Sequence, residues 1–248
     1  MAIRGLSLDL FDTVVDMHMD RLPVVDIDGR RVPSTYGLLH AASVQWHGLE
    51  FERFATELAR VDREMRETYY AEHRELPTIV RFRAFGALLG VSDEAMAQTL
   101  TDVHMGAIRE RVTVPEHHAA LLARLRARVP VALCSNFSHS ETAREVLDRA
   151  GLLEHFAPVV ISDALGLRKP RVEIFKAVAE GLGFPASDVL HVGDSLDADV
   201  AGASALGMRT AWLTRRVRKP EDVRAAYGGA PPDHVIADLK ELERLIET

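Results

Sequence analysis

Three times along this chain a short apolar run of strand length stops on a polar, loop-forming segment. Ile3 to Leu10 carries Asp9 at its end and is followed by Phe11, Asp12 and Thr13; Val129 to Cys134 runs into Ser135-Asn136; Val189 to Val192 runs into Gly193-Asp194-Ser195. Each run is followed by helical apolar spacing. This is the βαβ rhythm of a doubly wound parallel sheet, whose ligand site lies at the carboxyl ends of the strands. Thr210 to Leu213 continues the pattern as a candidate strand and Leu239 to Ile246 as a closing helix.

Between residues 16 and 111 the rhythm stops. Phe51 to His73 places Phe54, Leu58, Val61, Met65 and Tyr69 at alternating three- and four-residue steps among Glu and Arg, the spacing of an amphipathic helix. Thr78 to Leu89 and Asp93 to Ile108 repeat it, the second with Ser92 as its expected N-cap. Ahead of them, Asp28-Gly29 between the β-prone flanks Val24–Ile27 and Arg30–Val32 predicts a tight hairpin. The expected organisation is an α/β core of residues 1–15 and 112–248, interrupted by a helical cap of residues 16–111 with a small hairpin near its start. Hinges are expected near Val15–Met17 and Arg111–Pro115.

Composition removes several classes of function. Lys and Arg number 30 against 37 Asp and Glu, a formal net charge of −7, opposite in sign to a nucleic-acid-binding face. The single cysteine, Cys134, forms no intramolecular disulfide and builds no zinc site alone. Asp9 interrupts the first apolar run before signal-peptide length, and no stretch approaches membrane-span length. These features predict a cytoplasmic protein with a small-molecule partner and neither nucleic acid nor membrane. The oligomeric state stays open.

Four stations carry candidate chemistry. Asp9, at a strand end with Thr13 four residues on, can act as a nucleophile fixed in direction, or simply end the strand. Ser135-Asn136 offers a hydroxyl and free backbone N–H groups suited to phosphate oxygens, or a helix cap. Lys169-Pro170 precedes the helical segment Val172 to Leu182, with Pro170 expected at the first helical position and Lys169 aimed to its N-terminal side where anions collect, or simply a surface helix start. Asp194, Asp197 and Asp199 concentrate carboxylates that a cation would make tolerable, and hard oxygen ligands point to Mg²⁺, or Asp194 is simply a cap.

Taken together and in this order, the stations resemble those of the haloacid dehalogenase-like hydrolases, over residues 1 to 15 and 112 to 248. The resemblance implies a Rossmann-like core with the insertion as cap, and a phosphatase acting on a small anionic phosphomonoester. It implies Asp9 as the nucleophile of an aspartyl-phosphate, Ser135 on a phosphoryl oxygen and Lys169 stabilising the charge. Mg²⁺ would be bound by Asp9, the Phe11 carbonyl and Asp194, with Asp199 supporting it directly or through water. Thr13 and Asn136 would shape the substrate-binding loops.

One position departs from the phosphatase pattern. Two residues after the nucleophile, where such phosphatases carry an acidic proton donor, stands Phe11. Neighbouring side chains on an extended segment point oppositely, so Asp12 does not simply replace it. An aromatic residue there resembles the 2-haloacid dehalogenases, whose departing halide needs no proton. A dehalogenase, and a weakly active or inactive phosphate-binding protein, are therefore the alternatives. His18, His47, Arg81 and Arg83 of the insertion are candidates for substrate selection. The cluster Arg215, Arg216, Arg218 and Lys219 is expected in a solvated loop, His117-His118 at the start of a core helix, and Cys134 and His191 as packed core.

Overall fold

A computed structural model describes residues 2–27 and 29–246. The chain forms two compact units, Met1–Asp16 with Val114–Thr248, and Met17–Thr113. The first is built on six strands: β1 (Gly5–Leu8), β2 (Val131–Ser135), β3 (Val159–Ile161), β4 (Val189–Gly193), β5 (Arg209–Leu213) and β6 (His234–Ile236). They lie in the order β6-β5-β4-β1-β2-β3, and every pair is parallel. Helices flank the sheet, so the molecule has the α/β, Rossmann-like core the strand rhythm predicts.

Every residue of β1, β2 and β4 is buried, which is why each reads as a continuous apolar run rather than an alternating one. The chain moves outward from β1 to β2 and β3, then returns to the other side of β1 as β4. That reversal opens a crevice at the carboxyl ends of β1 and β4. Leu8 pairs with both Leu133 and Val192, so the residues just beyond those positions converge there. Ile174, Phe175 and Val178 of the helix Val172–Leu182 pack against Ala132, Cys134 and Val189 beneath the crevice.

Several local boundaries differ from expectation. Strands β3 and β6, each three residues long, are too short for periodicity to reveal. Pro170 does not open the following helix, which starts at Val172 with Arg171 as its cap. Asp93, rather than Ser92, caps the helix Glu94–Arg109: its carboxylate accepts the Ala95 N–H, and its charge also suits the positive end of the helix. The closing segment splits into a 3₁₀ turn, Leu239–Glu241, and a short helix, Leu242–Leu245, because Asp238 and Glu241 form a capping box there.

Among the described residues the second unit holds four α-helices: Tyr36–His47, Phe51–Ala71, Thr78–Leu88 and Glu94–Arg109. Their shared core is aromatic and aliphatic, with Phe54, Leu58, Phe82, Phe85 and Leu100 fully buried. Strands Val24–Ile27 and Arg30–Pro33 pair antiparallel ahead of the helices. Of the predicted Asp28-Gly29 turn, Asp28 lies outside the described residues, while Gly29 takes a left-handed φ of 74° and donates its N–H to Asp26. No described helix is long and apolar enough to cross a membrane.

Candidate active site

Asp9 leaves the end of β1 with its N–H bonded to the Val192 carbonyl of β4, 2.9 Å away, which fixes its direction. Lys169 arrives from the loop before Val172–Leu182. Its Nζ donates to Asp9 Oδ1 at 2.6 Å, to Asp199 Oδ1 at 2.5 Å and to the Cys134 carbonyl at 2.9 Å. Both the lysine and its partners are nearly sealed from solvent, with side-chain exposures of 2%, 10% and 2% for Lys169, Asp9 and Asp199. A buried ammonium with three acceptors has its charge and all its donors satisfied.

Asn136 explains why Lys169 reaches inward. Its amide oxygen accepts the Lys169 N–H at 2.7 Å and its amide nitrogen donates to the Lys169 carbonyl at 3.0 Å. The residue expected among the substrate contacts thus has both polar ends on the lysine's backbone. Ser135 and Thr13 are fully buried, and neither hydroxyl has a hydrogen-bond partner among the described residues. Such hydroxyls retain capacity for an incoming oxygen.

Behind these groups runs a relay that the strand pattern hides. His191 Nε2 lies 3.0 Å from Asp199 Oδ1, and His191 Nδ1 lies 2.8 Å from Ser7 Oγ. Burial holds the imidazole below its usual range, hence neutral. An ionised carboxylate only accepts, so Nε2 carries the proton and Nδ1 accepts from the Ser7 hydroxyl. His191 is packed as expected, edge-on to Phe175 at 4.9 Å, but it also steers Asp199. The available signal was Ser7 and Asp9, two polar residues on one face of an otherwise apolar strand.

Gly193 makes room for this arrangement, since a Cβ there would lie 2.2 Å from Asp199 Cγ. Asp199 Oδ2 accepts the Ser195 N–H at 3.0 Å. With Lys169 and His191 on its other oxygen, Asp199 is held below the usual carboxylate range despite its burial. Both of its oxygens therefore accept from protein donors.

Asp194 is the opposite case. Its carboxylate accepts no hydrogen bond among the described residues. Burial, with Asp9, Asp199 and Asp12 nearby, pushes it up to about 8, while burial and Asp199 carry Asp9 to about 6 against the pull of Lys169. Asp9, Asp194 and Asp199 each offer an oxygen within 4.8 Å of the others. Three carboxylates with one ammonium leave a negative excess, and the hard oxygen donors fit a divalent cation such as Mg²⁺.

Phe11 stands beside this site with its ring 4.7 Å from that of Phe137. Asp12 adopts a left-handed φ of 58° and ion-pairs with Arg216, Nε to Oδ1 at 2.7 Å. Arg215 likewise pairs with Asp16, 3.0 Å between Nη1 and Oδ2, and Lys219 lies 3.7 Å from Asp222, so three of the four residues of the basic cluster expected in solvent are held in ion pairs. Cys134 is fully buried, its thiol pushed up to about 12 by burial, and His118 opens the helix His118–Arg126. Among the insertion candidates, His18 bonds to Thr113, His47 to Ser43 and Arg83 to Glu94, while Arg81 is buried against Asp62.

An acidic strand end, a buried lysine bridge and a Gly-Asp turn come together at one edge of the parallel sheet. The chain belongs to the haloacid dehalogenase-like hydrolases, whose family model matches residues 3–207. It is 32% identical over 149 residues to the pyrimidine 5'-nucleotidase YjjG of Escherichia coli, covering 59% of this chain and 63% of that protein. It is 33% identical over 146 residues to a phosphoserine phosphatase of Thermus thermophilus, covering 59% and 56%. These matches span less than two thirds of either relative. The fold also matches the crystal structure of a 2-haloacid dehalogenase from Pseudomonas syringae, with a TM-score of 0.72 over 99% of this chain and 98% of that one, at 19% identity. At that identity the likeness is one of fold.

Proposed function

We propose that this hydrolase is a Mg²⁺-dependent phosphatase of small phosphomonoesters, working through an aspartyl-phosphate on Asp9. The observation that carries this reading is the partnerless Asp194 carboxylate beside Asp9, a donor set that needs a cation. The nucleotidase and phosphatase among its relatives support the same reading. Asp9, Asp194 and the Phe11 carbonyl would hold the metal, with Asp199 supporting it directly or through water, and the metal when bound would neutralise phosphoryl charge.

In this mechanism the Asp9 oxygen not bonded to Lys169 attacks phosphorus in line. Lys169 orients Asp9 and stabilises negative charge gathering on the transferring group, while the Ser135 hydroxyl donates to a phosphoryl oxygen. Asn136 fixes the lysine from behind, and Asp199, held by His191 and Ser195, keeps its ammonium pointed at Asp9. Water then attacks phosphorus, releasing phosphate and restoring the carboxylate. Phe11 supplies no proton, so the leaving oxygen must depart as a stable anion or take its proton from water.

Phe11 and its ring contact with Phe137 favour a second reading, 2-haloacid dehalogenation, because a halide leaves without a proton and an apolar wall suits it. One assay panel separates the two. Phosphate release from p-nitrophenyl phosphate and chloride release from 2-chloropropionate are measured with Mg²⁺ or EDTA, for the wild type and Asp9→Asn. The phosphatase releases phosphate only with Mg²⁺ and loses roughly 10⁴-fold or more on Asp9→Asn. Chloride release that persists in EDTA contradicts it.

A further inference from the structure

The second unit contains an open cavity of about 440 Å³ with a mixed lining that includes Tyr36, Asp62, Arg63, Arg66, Arg81 and His104. Three arginines and one carboxylate line it, a positive excess inside a chain whose net charge is −7. Arg81 is the deepest of them, its side chain only 6% exposed. Its Nε lies 3.3 Å from Asp62 Oδ1 without hydrogen-bond alignment, and both atoms are left without a hydrogen-bond partner. Its remaining contact with Asp62 is a long one, Nη1 to Oδ2 at 3.5 Å, because Oδ2 already accepts from the Tyr36 hydroxyl at 3.0 Å.

A guanidinium with spare donors is costly to bury unless something else accepts from it. Arg63 and Arg66, from the helix Phe51–Ala71, have no hydrogen-bond or ion-pair partner among the described residues, and both are exposed. His104 is bonded through Nδ1 to Thr35 at 2.8 Å, and burial together with Arg81 and Arg66 holds it neutral. Leu22 and Val32 add an apolar wall. A cavity of this size with apolar walls and a few convergent charged groups has the form of a small-molecule site.

We propose that this cavity binds a small organic anion through its carboxylate or phosphate group, with Arg81 as the buried anchor and Arg63 and Arg66 at the rim. The planar forks of arginine match both oxyanions, and the neutral His104 and Tyr36 leave the positive excess unopposed except by Asp62. The binding proposed rests on the arginines of the second unit and does not depend on turnover of a phosphomonoester.

The test is NMR of the full chain, observing the arginine Nε–H groups while succinate or, separately, inorganic phosphate is added. The expected result is a saturable shift of the Arg81 and Arg66 signals, kept in Asp9→Asn and weakened about tenfold in affinity by Arg66→Ala. Arg66 is exposed, so that variant should retain the wild-type amide spectrum. Competition between succinate and p-nitrophenyl phosphate for turnover identifies the substrate as the source of the anion; simultaneous binding identifies a separate ligand. No saturable arginine shift with either anion overturns the proposal, as do shifts lost in Asp9→Asn but unchanged in Arg66→Ala.

Discussion

Lys169 bonds at once to the Asp9 carboxylate, the Asp199 carboxylate and the Cys134 carbonyl, so at the residue scale the candidate site is organised around one ammonium. The acid that would complete a phosphatase is missing beside it, because Phe11 packs on Phe137 and Asp12 is turned away to Arg216. Phe11→Asp should therefore raise turnover of alkyl phosphates relative to aryl phosphates by about 10²-fold, the lower end of what a positioned acid contributes. The ratio of kcat/KM for an alkyl and an aryl phosphate checks it. An unchanged ratio would mean that another group already supplies the proton.

At the scale of elements, β1 and β4 bring Ser7 opposite His191 and set Gly193 where Asp199 must pass. Gly193→Ala should push Asp199 off Lys169 and His191, lowering kcat by about 10²-fold with a smaller change in KM, as expected for displaced catalytic geometry. Steady-state kinetics together with a crystal structure of the variant would check this; an undisturbed Lys169–Asp199 contact with full activity would refute it. The three strands that position the site were legible in the sequence because each is buried on both faces and ends on a polar turn. The Asn136 clamp and the His191 relay were not, because each joins residues far apart in the chain through register and loop path. Strands β3 and β6 escaped for want of length. Asp93 displaced Ser92 as a cap on a choice between adjacent residues that sequence alone leaves nearly balanced.

For the whole molecule, three of the 37 acidic residues gather at one place, Asp9, Asp194 and Asp199, with a consequence for stability. Asp194 is raised from 3.8 to about 8 and Asp9 to about 6, so between the unfolded and folded values the native state holds the extra protons. Stability from these groups falls as pH rises through that window. A divalent cation binds their ionised forms, so the Mg²⁺-induced rise in Tm should be larger near about pH 8.5 than near about pH 5.5. Calorimetry at the two pH values checks this, and an equal rise at both would contradict it. The central claim is that Asp9 carries the transferred phosphoryl group. Acid quenching during turnover of p-nitrophenyl phosphate with Mg²⁺, followed by peptide mass spectrometry, tests it most directly. One phosphoryl group is expected on the peptide containing Asp9 in the wild type and none in Asp9→Asn. Steady phosphate release with no such adduct, or an ester formed on Asp9 from 2-chloropropionate in EDTA, would contradict it.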